Sequence, residues 1–144
     1  MFLDASAIVA ILNDEADADA LVDCIDRSEQ SPIVSPLVRF EAILSLTKAR
    51  AKGGRPSAAA IAQATLSVQL FLQAVEAEEI AITAEIGRAA VAASARYGKV
   101  VGHPADLNFG DCFAYACALE KLVPLLFKGD DFSQTDVVPA LRGR

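Results

Sequence analysis

The sequence is short of the groups from which most enzymes build a nucleophile. Its 144 residues hold one histidine, His103, and three cysteines, Cys24, Cys112 and Cys117, with no C-x-x-C pair. An odd number of separated thiols argues against both a disulfide framework and a thiolate zinc site, and predicts buried free cysteines. The lone histidine has no identifiable acid partner, which leaves no Ser-His-Asp set. Long apolar runs are also lacking. The first twelve residues are apolar around Asp4, but they have no basic leader and fall well short of the roughly 20 residues needed to span a bilayer. The expected location is the cytoplasm. With no low-complexity tract, 53% hydrophobic and 22% charged residues predict one globular domain over residues 1–144. Positive charge is scarce as well. A net charge of −6 argues against a protein that coats a nucleic-acid backbone, since that affinity comes from counterion release by many Lys and Arg. It leaves a nuclease open. Arg39, Lys48, Arg50, Lys52 and Arg55 fall in one stretch, which reads either as a local positive rim or as a solvated helix face.

What is present begins at Phe2-Leu3-Asp4-Ala5-Ser6. Asp4 lies between an apolar pair and the apolar run Ala7 to Leu12, and no lysine or arginine precedes Arg27. A lone buried carboxylate costs several kcal/mol unless something compensates it. Backbone N–H groups and a bound cation are the two candidates, and capping of the following helix by Asp4 or Ser6 is the plain structural alternative.

Patterning along the rest of the chain predicts strands at Met1 to Asp4, Ile33 to Ser35, Glu79 to Ile82 and Pro124 to Phe127, with a further edge strand at Val137-Val138. Helices are predicted from Ser6 to Leu12, Asp17 to Ser28, Pro36 to the Gly53-Gly54 stop, Ala58 to Val75, Thr83 to Tyr97 and Asp111 to Glu120. Lys99 to Gly110 has no clear period and reads as the longest surface loop. Strands alternating with helices or helix pairs predict an α/β fold, three layers deep (α/β/α), around a mainly parallel sheet of four to five strands. Ligands of such sheets bind at the carboxyl ends of the strands, near the topological switch point.

That frame brings acids together. Asp4 ends the first strand, Asp111 starts the helix before the fourth, Asp130 and Asp131 follow the fourth, and Glu41 lies just past the first turn of the helix after strand two. Two unit charges about 4 Å apart repel by about 4 kcal/mol at an effective dielectric near 20, so the cluster calls for protons or a multivalent cation. The donors are all oxygen, with Ser6 as a possible hydroxyl partner, which disfavours zinc and favours Mg²⁺ or Mn²⁺. Mg²⁺ keeps waters and binds one or two carboxylates plus substrate phosphate, which points to phosphodiester chemistry.

The same residues resemble a known family. Phe2-Leu3-Asp4-Ala5-Ser6-Ala7 is similar to the opening of the PIN-domain ribonucleases, and Phe40-Glu41-Ala42 to their second acidic position. Leu107 to Ala116, around Asp111, resembles the third, and Leu125 to Phe132, with Lys128-Gly129-Asp130-Asp131, the fourth, in the branch of bacterial VapC toxins. The resemblance implies a PIN-like fold and an Mg²⁺-dependent endoribonuclease, the toxin of a type II toxin–antitoxin pair. Its implied partners are RNA as substrate, a VapB-like antitoxin, operator DNA only through that antitoxin, and a second copy in a homodimer. Carried over by position, Asp4 and Asp111 hold the metal, Glu41 completes the site directly or through water, and Asp130 is the fourth acid, with Asp131 the adjacent alternative. Ser6 would orient Asp4, and Asn108 and Lys128 would meet the phosphate unless they are ordinary capping or surface residues.

Other readings stay open beside it. His103 is a general-base candidate or a solvent-facing loop residue. Phe109, Phe113 and Tyr115 could stack on bases, with Phe113 better suited to the core. A receiver-type signalling domain would share the small parallel α/β fold, but it needs an acid pair after strand one, where Asp4 is followed by Ala5 and Ser6. A catalytically inactive PIN-like module that only binds a protein partner is the remaining alternative, and the intact set of acids argues against it.

Overall fold

The computed structural model describes residues 1–141. Apolar pairs form its sheet: β1 (Phe2–Leu3), β2 (Ile33–Val34) and β4 (Leu125–Leu126), with β3 (Glu78–Glu79) as a charged edge. All pairings are parallel, in the order β3-β2-β1-β4. Successive strand residues point to opposite faces, and Phe2, Leu3, Leu125 and Leu126 are all fully buried. β1 and β4 are therefore covered on both sides, which makes the domain three-layered. The chain progresses outward from β1 to β3, then returns to place β4 on the other side of β1. The switch point lies between β1 and β4, at the end of Leu3 and Leu126.

Among the described residues six helices cover the sheet: α1 (Ala5–Leu12), α2 (Ala18–Asp26), α3 (Pro36–Arg50), α4 (Ala58–Ala74), α5 (Ala84–Tyr97) and α6 (Phe109–Lys121). Most start where a side-chain oxygen satisfies an orphan N–H of the first turn. Ser35 accepts from Val38, Ser57 from Ala60 and Thr83 from Ile86. Pro36 takes the first position of α3, where it forfeits no hydrogen bond.

Three expectations need correction. The third strand lies at Glu78–Glu79 rather than Glu79 to Ile82, because Glu78 N–H donates to Pro32 O and Ile80 N–H to Val34 O, which sets the register against β2. An exposed edge tolerates its two glutamates. No strand forms at Val137-Val138. That segment makes only a single bridge, Leu125 to Pro139, and residues 142–144 of the expected polar tail lie outside the described residues. The stretch Lys99 to Gly110 is not structureless either. It opens with a 3-10 turn at Lys99–Val101, turns through Gly102 at φ 68°, and bridges back from Leu107 to Gly98. Ala105 and Leu107 are buried in the core and pin it there.

Candidate metal centre

Asp4 sits at the carboxyl end of β1 and caps α1. Ser6 N–H and Oγ–H both donate to its Oδ2, at 2.9 and 2.5 Å. The capping role and the buried-acid role thus coexist, since these bonds occupy one of the two carboxylate oxygens. Ser6 Oγ also accepts from Lys128 N–H at 3.0 Å, which ties the end of β1 to the end of β4. Asp4 is 4% exposed. Burial pushes its carboxyl up, the Ser6 and Ala5 hydrogen bonds oppose that, and the Asp131 charge adds to it.

Asp111 comes from the first turn of α6. That helix starts at Phe109, two residues before the expected start, because Asn108 is the cap: its Oδ1 accepts from Gly110 N–H at 2.7 Å and Asp111 N–H at 3.1 Å. Asp111 Oδ2 in turn accepts from Asn108 N–H at 2.7 Å, closing a reciprocal capping box. The backbone bond lowers its carboxyl, but burial outweighs it, and with the charges of Asp4, Asp131 and Asp106 moves it up to about 6. Glu41 reaches the cluster from the first half of α3, which packs on α6. Burial first, then the charges of Asp4 and Asp111, push it up to about 7.

These mutual effects define which acids share the site. Asp131 acts on both Asp4 and Asp111. It begins the 3-10 turn Asp131–Gln134 after β4, and Phe132 anchors that turn by packing against Phe127 at 5.0 Å between centroids. Both aspartates are exposed; Asp130, the expected fourth acid, caps the same turn without a side-chain bond and is not among the charges acting on Asp4, Glu41 or Asp111. Sequence patterning could not separate the adjacent pair. Asp106 was missed altogether; its charge acts on Asp111, and the 99–110 segment that carries it is pinned by the bridge from Leu107 back to Gly98 at the end of α5.

Nearby cations are engaged elsewhere. Lys128 Nζ pairs with Glu15 and lies 3.8 Å from Asp17, Arg39 pairs with Glu79 at 2.5 Å, and Lys99 lies 3.5 Å from Asp106. The side chain of Asn108 is spent on its cap. His103 Nδ1 accepts from Ala105 N–H, and its ring meets Tyr97 edge-on at 5.2 Å. Lys48, Arg50, Lys52 and Arg55 belong to the far end of α3 and the turn beyond it, away from Glu41. Phe109 is 69% exposed and leans on half-buried Phe113 at 5.1 Å, while Tyr115 is buried with its hydroxyl donating to Asp136.

A hard divalent ion suits this donor set. The side chains are oxygen donors, their carboxyls are held up by burial and by one another, and no ion pair within the described residues neutralises Asp4, Glu41 or Asp111. Among the described residues no three carboxylate, imidazole or thiolate groups close into a cage. A hard divalent ion does not require such a cage, since it can be held by one or two carboxylates together with waters.

Acids delivered from separate segments to the switch point of a parallel sheet place the chain by architecture, and comparison agrees: it belongs to the PIN-domain family, which matches residues 1–138. Within that family it belongs with the VapC ribonucleases. It is 48% identical over 139 residues to a VapC ribonuclease of Rhizobium meliloti, covering 94% of this chain and 98% of the relative. It is 38% identical to ribonuclease VapC28 of Mycobacterium tuberculosis over the full length of both. The crystal structure of Mycobacterium tuberculosis VapC20, described as a sarcin-ricin loop cleaving toxin, matches with a TM-score of 0.69 over 95% of each chain at 18% identity, a likeness of fold. Nucleases of this family depend on divalent metal.

Proposed function

We propose that this chain is a VapC-type endoribonuclease toxin, a single PIN domain over residues 1–144 that hydrolyses RNA phosphodiester bonds with Mg²⁺ or, alternatively, Mn²⁺. One observation carries the reading: the charge of Asp131 acts on Asp4 and Asp111, the charges of Asp4 and Asp111 act on Glu41, and no ion pair among the described residues offsets Asp4, Glu41 or Asp111. Asp4 and Asp111 would hold the ion. Bound there, the ion supplies an acidified water, in-line orientation and compensation of charge on the leaving oxygen. Ser6 fixes the orientation of Asp4. Glu41, at about 7, can exchange a proton at neutral pH. Asp131 rather than Asp130 would be the fourth acid, set from the far side of the switch point.

The partners follow from the same reading: RNA as substrate, a VapB-like antitoxin that neutralises the toxin, and operator DNA through the antitoxin alone. No helix among the described residues is long and apolar enough to cross a membrane, and the cytoplasm is the proposed site of action. A homodimer is supported by one surface. Val91, Val100 and Phe109, each more than two-thirds exposed, line a groove of about 610 Å³ between α5 and α6. Apolar exposure of this kind marks a protein contact. Val91→Asp is expected to convert a dimer to a monomer by light scattering, and an unchanged mass would reject this surface.

The test of function is cleavage of total bacterial RNA by the purified, antitoxin-free chain, with Mg²⁺ and with chelator, beside Asp4→Asn. Discrete fragments that need both Mg²⁺ and Asp4 are expected. Cleavage that survives chelator or the substitution would reject the metal-dependent mechanism. No cleavage by wild type would favour the inactive binding module.

A further inference from the structure

Gly110 lies buried in the first turn of α6, one residue before Asp111. Its backbone does not call for glycine: among the described residues the glycines at positive φ are Gly53, Gly102 and Gly129. Its neighbour does. A Cβ at position 110 would lie 2.7 Å from both Cδ and Oε1 of Glu41, and nearer still to Oε2, where real side chains keep at least 3.0 Å. The carboxylate of Glu41 therefore rests directly against the α-carbon of Gly110. Hydrogen bonding does not explain its position, because Gly110 N–H is already given to Asn108 Oδ1. Burial and two like charges act on Glu41, and both would favour its swinging out to water. The room left by the missing side chain is what allows it to lie there.

We infer that Gly110 is a positioning residue: the absence of its side chain sets how closely the Glu41 carboxylate approaches the first turn of α6, and thereby places Glu41 in the cation-binding cluster. The inference rests on the divalent-cation reading above. It concerns Glu41 and Gly110, since the three atoms nearest to a Cβ here all belong to the far end of the flexible Glu41 side chain. The fold can accommodate it by letting the carboxylate move. Alanine in a helix also favours the fold relative to glycine. A purely structural glycine would give the opposite signature, a lower melting temperature with unchanged ion binding.

The experiment is a cycle of wild type, Gly110→Ala, Glu41→Asp and the double variant, each as the full chain. Mn²⁺ affinity is read by calorimetry and melting temperature in chelator. Gly110→Ala is expected to melt no lower than wild type and to bind Mn²⁺ about 10-fold or more weakly, the range for groups that orient a ligand. In the Glu41→Asp background, where the shorter side chain withdraws the carboxylate, adding Gly110→Ala should change the affinity less than about twofold. Wild-type Mn²⁺ affinity in Gly110→Ala overturns the inference, as does an equal loss in both backgrounds. Should Gly110→Ala melt below wild type, Glu41→Asp must restore its melting temperature; failure to do so overturns the inference equally. A wild type that takes up no Mn²⁺ overturns the cation reading itself, which the cycle thereby distinguishes.

Discussion

Replacing Glu41 by Gln should stabilise the cation-free protein at alkaline pH and do nothing at acid pH. Folding carries the Glu41 carboxyl from 4.5 to about 7, through burial and the charges of Asp4 and Asp111. At about 1.36 kcal/mol per pH unit that is about 3.4 kcal/mol if fully felt. Glu41 is only half-buried, so solvent screening reduces the figure to roughly 1–2 kcal/mol. The sign follows from proton counting. Between pH 4.5 and about 7 the native state keeps a proton that the unfolded chain has released, so stability falls as pH rises through that window. Below it the penalty is absent, and above it the penalty is complete. Gln is the neutral isostere and removes it. Melting in chelator should therefore show Glu41→Gln about 3–6 °C above wild type at pH 8 and level with it near pH 4.5. With saturating Mg²⁺ the advantage should shrink or reverse, because the ion stabilises the native wild type. A Glu41→Gln variant that melts at or below wild type at pH 8 in chelator would refute the electrostatic account of the cluster.

Asp4→Asn and Asp111→Asn should each lower RNA cleavage at least about 100-fold, as loss of several kcal/mol of charge compensation requires, while circular dichroism shows an intact fold. Their melting temperatures should rise less with Mg²⁺ than that of wild type, and equal shifts would place the ion elsewhere. Ser6→Ala removes the bond to Asp4 Oδ2 and leaves Lys128 N–H without its acceptor; a loss of about 1–3 kcal/mol in urea unfolding is expected. Asn108→Ala should cost about 1 kcal/mol by the same assay, through the cap of α6. Mg²⁺ affinity should rise with pH through the range from about 6 to about 7 as Asp111 and Glu41 give up protons, and a flat calorimetric profile there would contradict their place in the site.

The architecture was readable where local rules and tertiary demands coincide. Phe2-Leu3, Ile33-Val34 and Leu125-Leu126 are apolar pairs next to caps or breakers, and each is a strand of the sheet. Asp4 stood out because an acid in an apolar run needs a reason. The third strand slipped because its edge position lets Glu78 and Glu79 pair while apolar Ile80 to Ile82 mostly pass beyond the ladder. The start of α6 was misplaced because Asn108 and Asp111 are both capping residue types, and only the reciprocal bonds decide which is the cap. Asp130 and Asp131 are indistinguishable by pattern; only in three dimensions does the charge of Asp131 act on Asp4 and Asp111 while that of Asp130 does not. The contact of Glu41 with Gly110 joins distant segments through the absence of an atom, and nothing in local composition signals it.

The most direct test of the central claim is an anomalous difference map from a crystal of the chain soaked in Mn²⁺. A single strong peak about 2.1 Å from carboxylate oxygens of both Asp4 and Asp111 is the predicted result. A peak on other ligands, or none at these two residues, would contradict it.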